Sequence, residues 1–168
     1  MIYTTLNKIR AHAPCVDGWA KLLRHLGKTQ ADDEPVSLLT ILDSNGLDDA
    51  LWCLRAVDGH EREMRLYAVW CARQVQHLMT DPRSLAALDV AERYANGQAT
   101  DAELEAARDA AWAAAGAAAR DPARAAAWAA ALDAAGAAAG DAARDAARDA
   151  ARESQAAEFR RVFCGEEC

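Results

Sequence analysis

Residues able to do chemistry are sparse in this chain, and those present do not cluster. The four histidines, His12, His25, His60 and His77, stand apart, and no HExxH pair, phosphate-binding glycine loop or nucleophile elbow occurs. His12 and Cys15 come nearest to metal-ligand spacing, but no second pair accompanies them, and a structural zinc takes four ligands. Residues 43–49 (DSNGLDD) suggest a calcium loop, yet Leu47 stands where an oxygen ligand is required and the glycine is needed one position later. His60 beside Glu61 and Glu63 is most simply a charged, solvated first helical turn. An enzyme is therefore unsupported, and neither cofactor nor metal is expected.

Long apolar runs are missing too. The most apolar stretch, 122–140, is mostly alanine and contains Arg124 and Asp133, which argues against a membrane span. The start, Met1-Ile2-Tyr3-Thr4-Thr5, has no basic region followed by an apolar one, so no secretory signal and a cytoplasmic location are expected. Five cysteines, an odd number at irregular spacing, fit free thiols in a reducing compartment rather than a disulfide framework. Cys164 and Cys168 form the one close pair, read as two exposed thiols at a frayed end.

Cationic excess is absent. Acidic residues outnumber basic ones 13 to 11 over positions 1–100 and 13 to 8 over 101–168, for a net charge of −7. Direct contact with a nucleic-acid backbone needs a cationic face, so a basic protein is the favoured partner. The 168 residues suit one compact unit long enough to bury a core.

What the chain does have is alanine. From position 101 onward it is close to half alanine, interrupted by Arg and Asp rather than by Pro and Ser, and a tract of the best helix former should be helical and not disordered. Related phrases recur: AWAAAGAAA at 111–119, AWAAA at 127–131, GAAAG at 136–140. Small residues four apart let two helix backbones approach closely. Asp141, Asp145 and Asp149 each precede an arginine by three residues, placing opposite charges side by side, each pair contributing about 0.2–0.5 kcal/mol. A solvated face is the stronger reading of this ladder and a binding face the weaker. Leu104, Trp112, Trp128, Leu132, Phe159, Val162 and Phe163 are the large anchors available to the alanine surface.

Upstream, helix signals follow one another. A short helix is expected over 5–11, stopped before Pro14, and another over 18–26 with Asp17 as N-cap and Gly27 as stop. Pro35 should open a third, ended by Asn45-Gly46, and a fourth should run over 47–57 until Asp58-Gly59. The strongest amphipathic segment, 61–79, carries Met64, Tyr67, Ala68, Cys71, Val75 and Leu78 at three-and-four spacing and reads as the core helix. Asp81-Pro82 starts the next helix, Asn96-Gly97 closes it, and Thr100 with Glu103 forms a capping box. Asp121-Pro122 repeats the start signal, so the helices on either side should fold as a hairpin. The expected fold is all-α, a multi-helix bundle or helical-hairpin array with long Ala-rich C-terminal helices. Its expected parts are an N-terminal segment 1–46, an Ala-rich domain 47–163 and a tail 164–168.

RLYAVWCARQ at 65–74, DPRS at 81–84, AERYANG at 91–97, TDAEL at 100–104 and the Ala-Trp phrases together resemble an immunity-protein family of polymorphic toxin systems. The same resemblance implies similar proteins in bacteriophages. The resemblance spans 47–163 and implies an all-helical protein that binds and neutralises another protein, with no functional residues attached.

Asp48, Asp49, Trp52 and Arg55 combine acidic groups with an aromatic of the kind that anchors interfaces, although core is the stronger reading of Trp52, as of Trp70. With Asp141, Asp145 and Asp149 they are the candidate partner-binding residues. The expected function is a non-enzymatic inhibitor that binds a basic toxin or defence effector. The alternatives are a phage-encoded inhibitor of bacterial immunity, anti-CRISPR in type and acting as an acidic nucleic-acid mimic, and a structural module forming homo-oligomers.

Overall fold

The computed structural model describes residues 1–119 and 139–165, with side chains over 1–116 and 147–165. The fold is all-α: the described residues form eight α-helices and one two-stranded sheet. None of the described helices is long and apolar enough to cross a membrane. Two compact units are present, Met1–Met64 with Arg152–Cys168, and Arg65–Ala151. The boundary drawn at Gly46 falls inside the first of them.

The first unit begins with strand β1 (Tyr3–Thr5), antiparallel to β2 (Pro35–Ser37), with Thr4 opposite Val36. Each strand runs straight into a helix capped by its own last residue. Thr5 caps α1 (Leu6–Ala11) by accepting from the Lys8 amide at 3.2 Å, and Ser37 caps α3 (Leu38–Asn45) by accepting from the Thr40 amide at 3.0 Å. Pro35 thus opens a strand and not a helix. A proline with no N–H is tolerated as the first residue of an edge strand as readily as at a helix start.

Between the strands lies α2 (Val16–His25), whose N-cap is Cys15 and not Asp17; Asp17 sits in the first turn, where a negative charge meets the positive end of the helix dipole. After α3, Gly46 takes φ +96°, a region nearly closed to side-chain-bearing residues. This turn launches α4 (Leu47–Cys53), which tightens into a 3-10 turn over Leu54–Ala56.

The end of the chain completes this unit. Helix α8 (Ala139–Phe159) passes into a π-helical turn, Arg160–Cys164, whose Phe163 carbonyl accepts from the Ile2 amide at 2.9 Å. Phe159 and Phe163 are buried to 0% and 1% exposure, together with Leu6, Ile9, Leu38 and Ile41. The two phenylalanines, expected to anchor the alanine surface, instead fill the core of the N-terminal elements. Alanine offers too little apolar area to hold a phenylalanine as well as branched aliphatic side chains do.

Helix α5 (Glu61–Gln74) starts in the first unit and continues into the second. It stops short of the expected 61–79, because Val75 leaves helical geometry at φ −114° and ψ 11°. Of the predicted stripe only Tyr67 is buried, with Val69 outside it, while Val75 and Leu78 are 47% and 67% exposed. The segment is no core helix.

Within the second unit, α6 (Pro82–Ala95) packs on α7 (Asp101–Ala119). Both N-termini carry the expected caps. Asp81 accepts from the Arg83 amide at 2.9 Å, and Thr100 and Glu103 exchange bonds at 2.8 and 3.3 Å. On α7 it is Ala114, 2% exposed, that is buried, while Trp112 is 73% exposed and anchors nothing among the described residues. The start signal at Asp121-Pro122, Trp128, Leu132 and Cys168 lie outside the described residues.

The Asp81 cap carries a pH signature. The Arg83 guanidinium first, and its backbone N–H second, hold the Asp81 carboxyl down at about 2. Because this is lower than the unfolded value of about 3.9, the stabilisation is complete above that value and is lost as pH falls through about 2. A carbon-detected NMR titration should place the Asp81 midpoint near 2, and Arg83→Gln should move it upward.

Candidate functional site

Four of the candidate residues fall on α4 and its 3-10 extension, and they separate into different roles. Asp48 and Asp49 sit in the first turn, favoured there by the helix dipole. Asp48 is engaged by the chain itself: Arg152 Nη1 and Nη2 donate to its two oxygens at 2.8 and 3.0 Å. Both side chains are largely exposed, so the pair contributes at most about 1 kcal/mol. Arg55 turns back on Trp52, its guanidinium 4.5 Å from the ring centroid and its Nε donating to the Trp52 carbonyl at 2.9 Å.

Asp49 and Trp52 face a cavity of about 70 Å³ walled by α2, α3 and α4, with Trp19 and Cys15 on the α2 side and Cys53 on the α4 side. Trp52 is half-buried, neither sealed core nor a free anchor. One side chain ties the walls together. Asn45 Nδ2 donates to Asp49 Oδ2 at 2.7 Å and to the Gly18 carbonyl at 2.8 Å. A Cβ on Gly18 would stand 2.6 Å from Asp49 Oδ2 and 3.0 Å from Cys15 Sγ, so glycine is what lets α2 approach the carboxylate.

Asp149 is exposed, and the side chains of Asp141 and Asp145 lie outside the described residues. Hence α4 contributes two of its candidate residues to one cavity, and of the ladder it is Arg152 that reaches α4, at Asp48, which does not line that cavity.

Gly18, Trp19 and Cys53 carried no site reading from sequence, Cys15 was weighed only as a metal ligand beside His12, and Asn45 only as part of a turn. One signal was available for Gly18: a glycine near the start of an amphipathic helix brings poor helix propensity and no side chain, which fits a close approach of another group. Asn45 gave no such signal, since Asn before Gly reads fully as a turn.

The two thiols at the cavity differ sharply. Cys53 is 4% exposed, and burial, reinforced by the Asp49 carboxylate against a weaker opposing pull from Arg55, pushes its thiol up to about 12. Cys15 is exposed, its sulfur accepting from the Gly18 amide at 3.4 Å. Brief alkylation of the native protein near neutral pH, read by peptide mapping, should label Cys15 and leave Cys53 unmodified until denaturant is added.

A second hollow, of about 600 Å³, lies along α6 and α7 in the other unit, where Arg65, Arg108 and Trp112 meet Asp101 and Glu105. Its charges are mixed. Among the described residues no group of three or more His, Cys, Asp or Glu could hold a metal ion. No family model, no curated protein and no solved structure matches the chain.

The α4 cavity is thus the place where apolar, aromatic and charged groups converge. It has the makings of a recognition pocket: two indoles, an aliphatic wall and one carboxylate held in place by an amide.

Proposed function

We propose that this protein is a non-enzymatic inhibitor, which binds a basic toxin or defence effector stoichiometrically and blocks its working surface. The observation that carries the reading is the α4 cavity, where a half-buried Trp52 and the Asp49 carboxylate share one wall. A partly desolvated tryptophan beside a fixed charge is the kind of group that dominates interface energetics. A net charge of −7 adds long-range attraction for a cationic partner and speeds encounter. The resemblance of residues 47–163 to immunity proteins supports the same role.

The test is capture on the tagged protein of purified basic toxins and defence nucleases, at low and moderate salt, followed by assay of the captured effector with and without competing DNA. Saturable one-to-one capture that weakens with salt and abolishes effector activity is the expected result. Loss of capture when DNA is added would move the target to a nucleic-acid cleft. Self-association of the bait with no effector bound would replace inhibition by a structural role.

A further inference from the structure

Resting on the binding role just proposed, we infer that the α4 cavity is a receptor for one lysine side chain of the partner protein. Size is the first ground. A water needs about 10–15 Å³ of such space, so the 70 Å³ cavity holds roughly five to seven. That suits an unbranched four-carbon stem ending in a compact ammonium.

Chemistry is the second ground. Trp19 and Trp52 line the cavity with Ile41, an apolar surface for the methylenes and two indoles of the kind that attract a cation. Asp49 is the one carboxylate on the wall. Its Oδ2 is held by Asn45, and none of the described Lys, Arg or His residues forms an ion pair with it. An apolar side chain filling the space would strip water from this carboxylate and leave it unpaired, which is costly. A lysine would fill the space and supply the missing countercharge.

Gly18 is the third. A Cβ there would stand 2.6 Å from Asp49 Oδ2, so glycine leaves the carboxylate its place beside Asn45 without a shift of that side chain. Arg55 works the other way, because it places a like charge over the Trp52 ring.

The experiment titrates the full chain with Nα-acetyl-lysine methylamide, its norleucine counterpart, which lacks only the ammonium, and the arginine analogue. The readout is the indole N–H resonances of Trp19 and Trp52, assigned with Trp19→Phe and Trp52→Phe. The lysine probe should shift both indoles saturably and bind at least tenfold more tightly than the other two. Asp49→Asn, which keeps an oxygen for Asn45 to donate to, should lose at least tenfold in lysine affinity with an otherwise unchanged spectrum. Arg55→Gln should tighten binding several-fold.

Equal binding of norleucine and lysine would overturn the proposal in favour of an apolar pocket, and stronger binding of the arginine probe would overturn the assignment to lysine. No shift with any probe up to its solubility limit would overturn the receptor itself. The two readings fail separately. Effector capture that Asp49→Asn leaves intact would sink the receptor and spare the inhibitor role, whereas lysine binding without any effector captured would do the reverse.

Discussion

Phe163→Ala should destabilise the first unit by about 3–5 kcal/mol, the range for deleting a fully buried phenylalanine. The ring is 1% exposed and lies 4.6 Å, centroid to centroid, from that of Phe159, tilted by 44°. Loss of one ring therefore removes an aromatic pair as well as buried area. The turn that carries it packs on α3, so the cavity left behind opens on to the aliphatic centre. Against a total stability of about 5–15 kcal/mol for a typical domain, the loss is a large fraction. Because the chain has two units, a global probe would blend two transitions. The buried thiols Cys53 and Cys164 belong to the first unit alone, so their protection from alkylation against urea reports on it specifically. Full retention of that protection at wild-type urea concentrations would contradict the assignment of Phe163 to this core.

Thr4→Val should cost about 1–3 kcal/mol, the penalty for leaving a buried acceptor without its donor. Thr4 is 2% exposed, and its hydroxyl donates to the Ala56 carbonyl at the end of the 3-10 turn. Valine is nearly the same size, so the change isolates the hydrogen bond from packing. Thr4→Ser keeps the donor and removes one methyl, at a cost of about 0.8 kcal/mol. Valine should therefore be the more damaging of the two, and the same thiol-protection assay decides it. If serine proved worse, packing rather than the hydrogen bond would hold β1 to the end of α4.

Local features were legible. Asp81-Pro82, Thr100 with Glu103, and Asn45-Gly46 all marked helix ends where the structure has them, because a cap or turn is made within about four residues. Asp17 failed as a cap because the neighbouring Cys15 took the role. The strands were not legible at all: each is three residues long, too short to display an alternation.

The candidate site was half legible. Acid in the first turn of α4 and the tryptophan one turn on were visible, yet the cavity depends on an Asn45 bond to a carbonyl 27 residues earlier, which no local pattern encodes. Asp48 looked as free as Asp49. Only the fold distinguishes them, by delivering Arg152 to one and not to the other.

By itself, then, the sequence determined helix as the secondary structure, most of the helix ends, the acidic surface and the scarcity of catalytic groups, since these follow from propensity, capping and charge acting over a few residues. The tertiary structure alone decided which large side chains are buried and where. Phe159 and Phe163 went to the N-terminal core because the aliphatic side chains of α1 and α3 offered more area than alanine, and Trp112 was left exposed on a helix where, among the described residues, Ala114 is the buried one. Burial is a contest among all surfaces of the chain at once, and a periodic, alanine-rich sequence names the contestants without naming the winner.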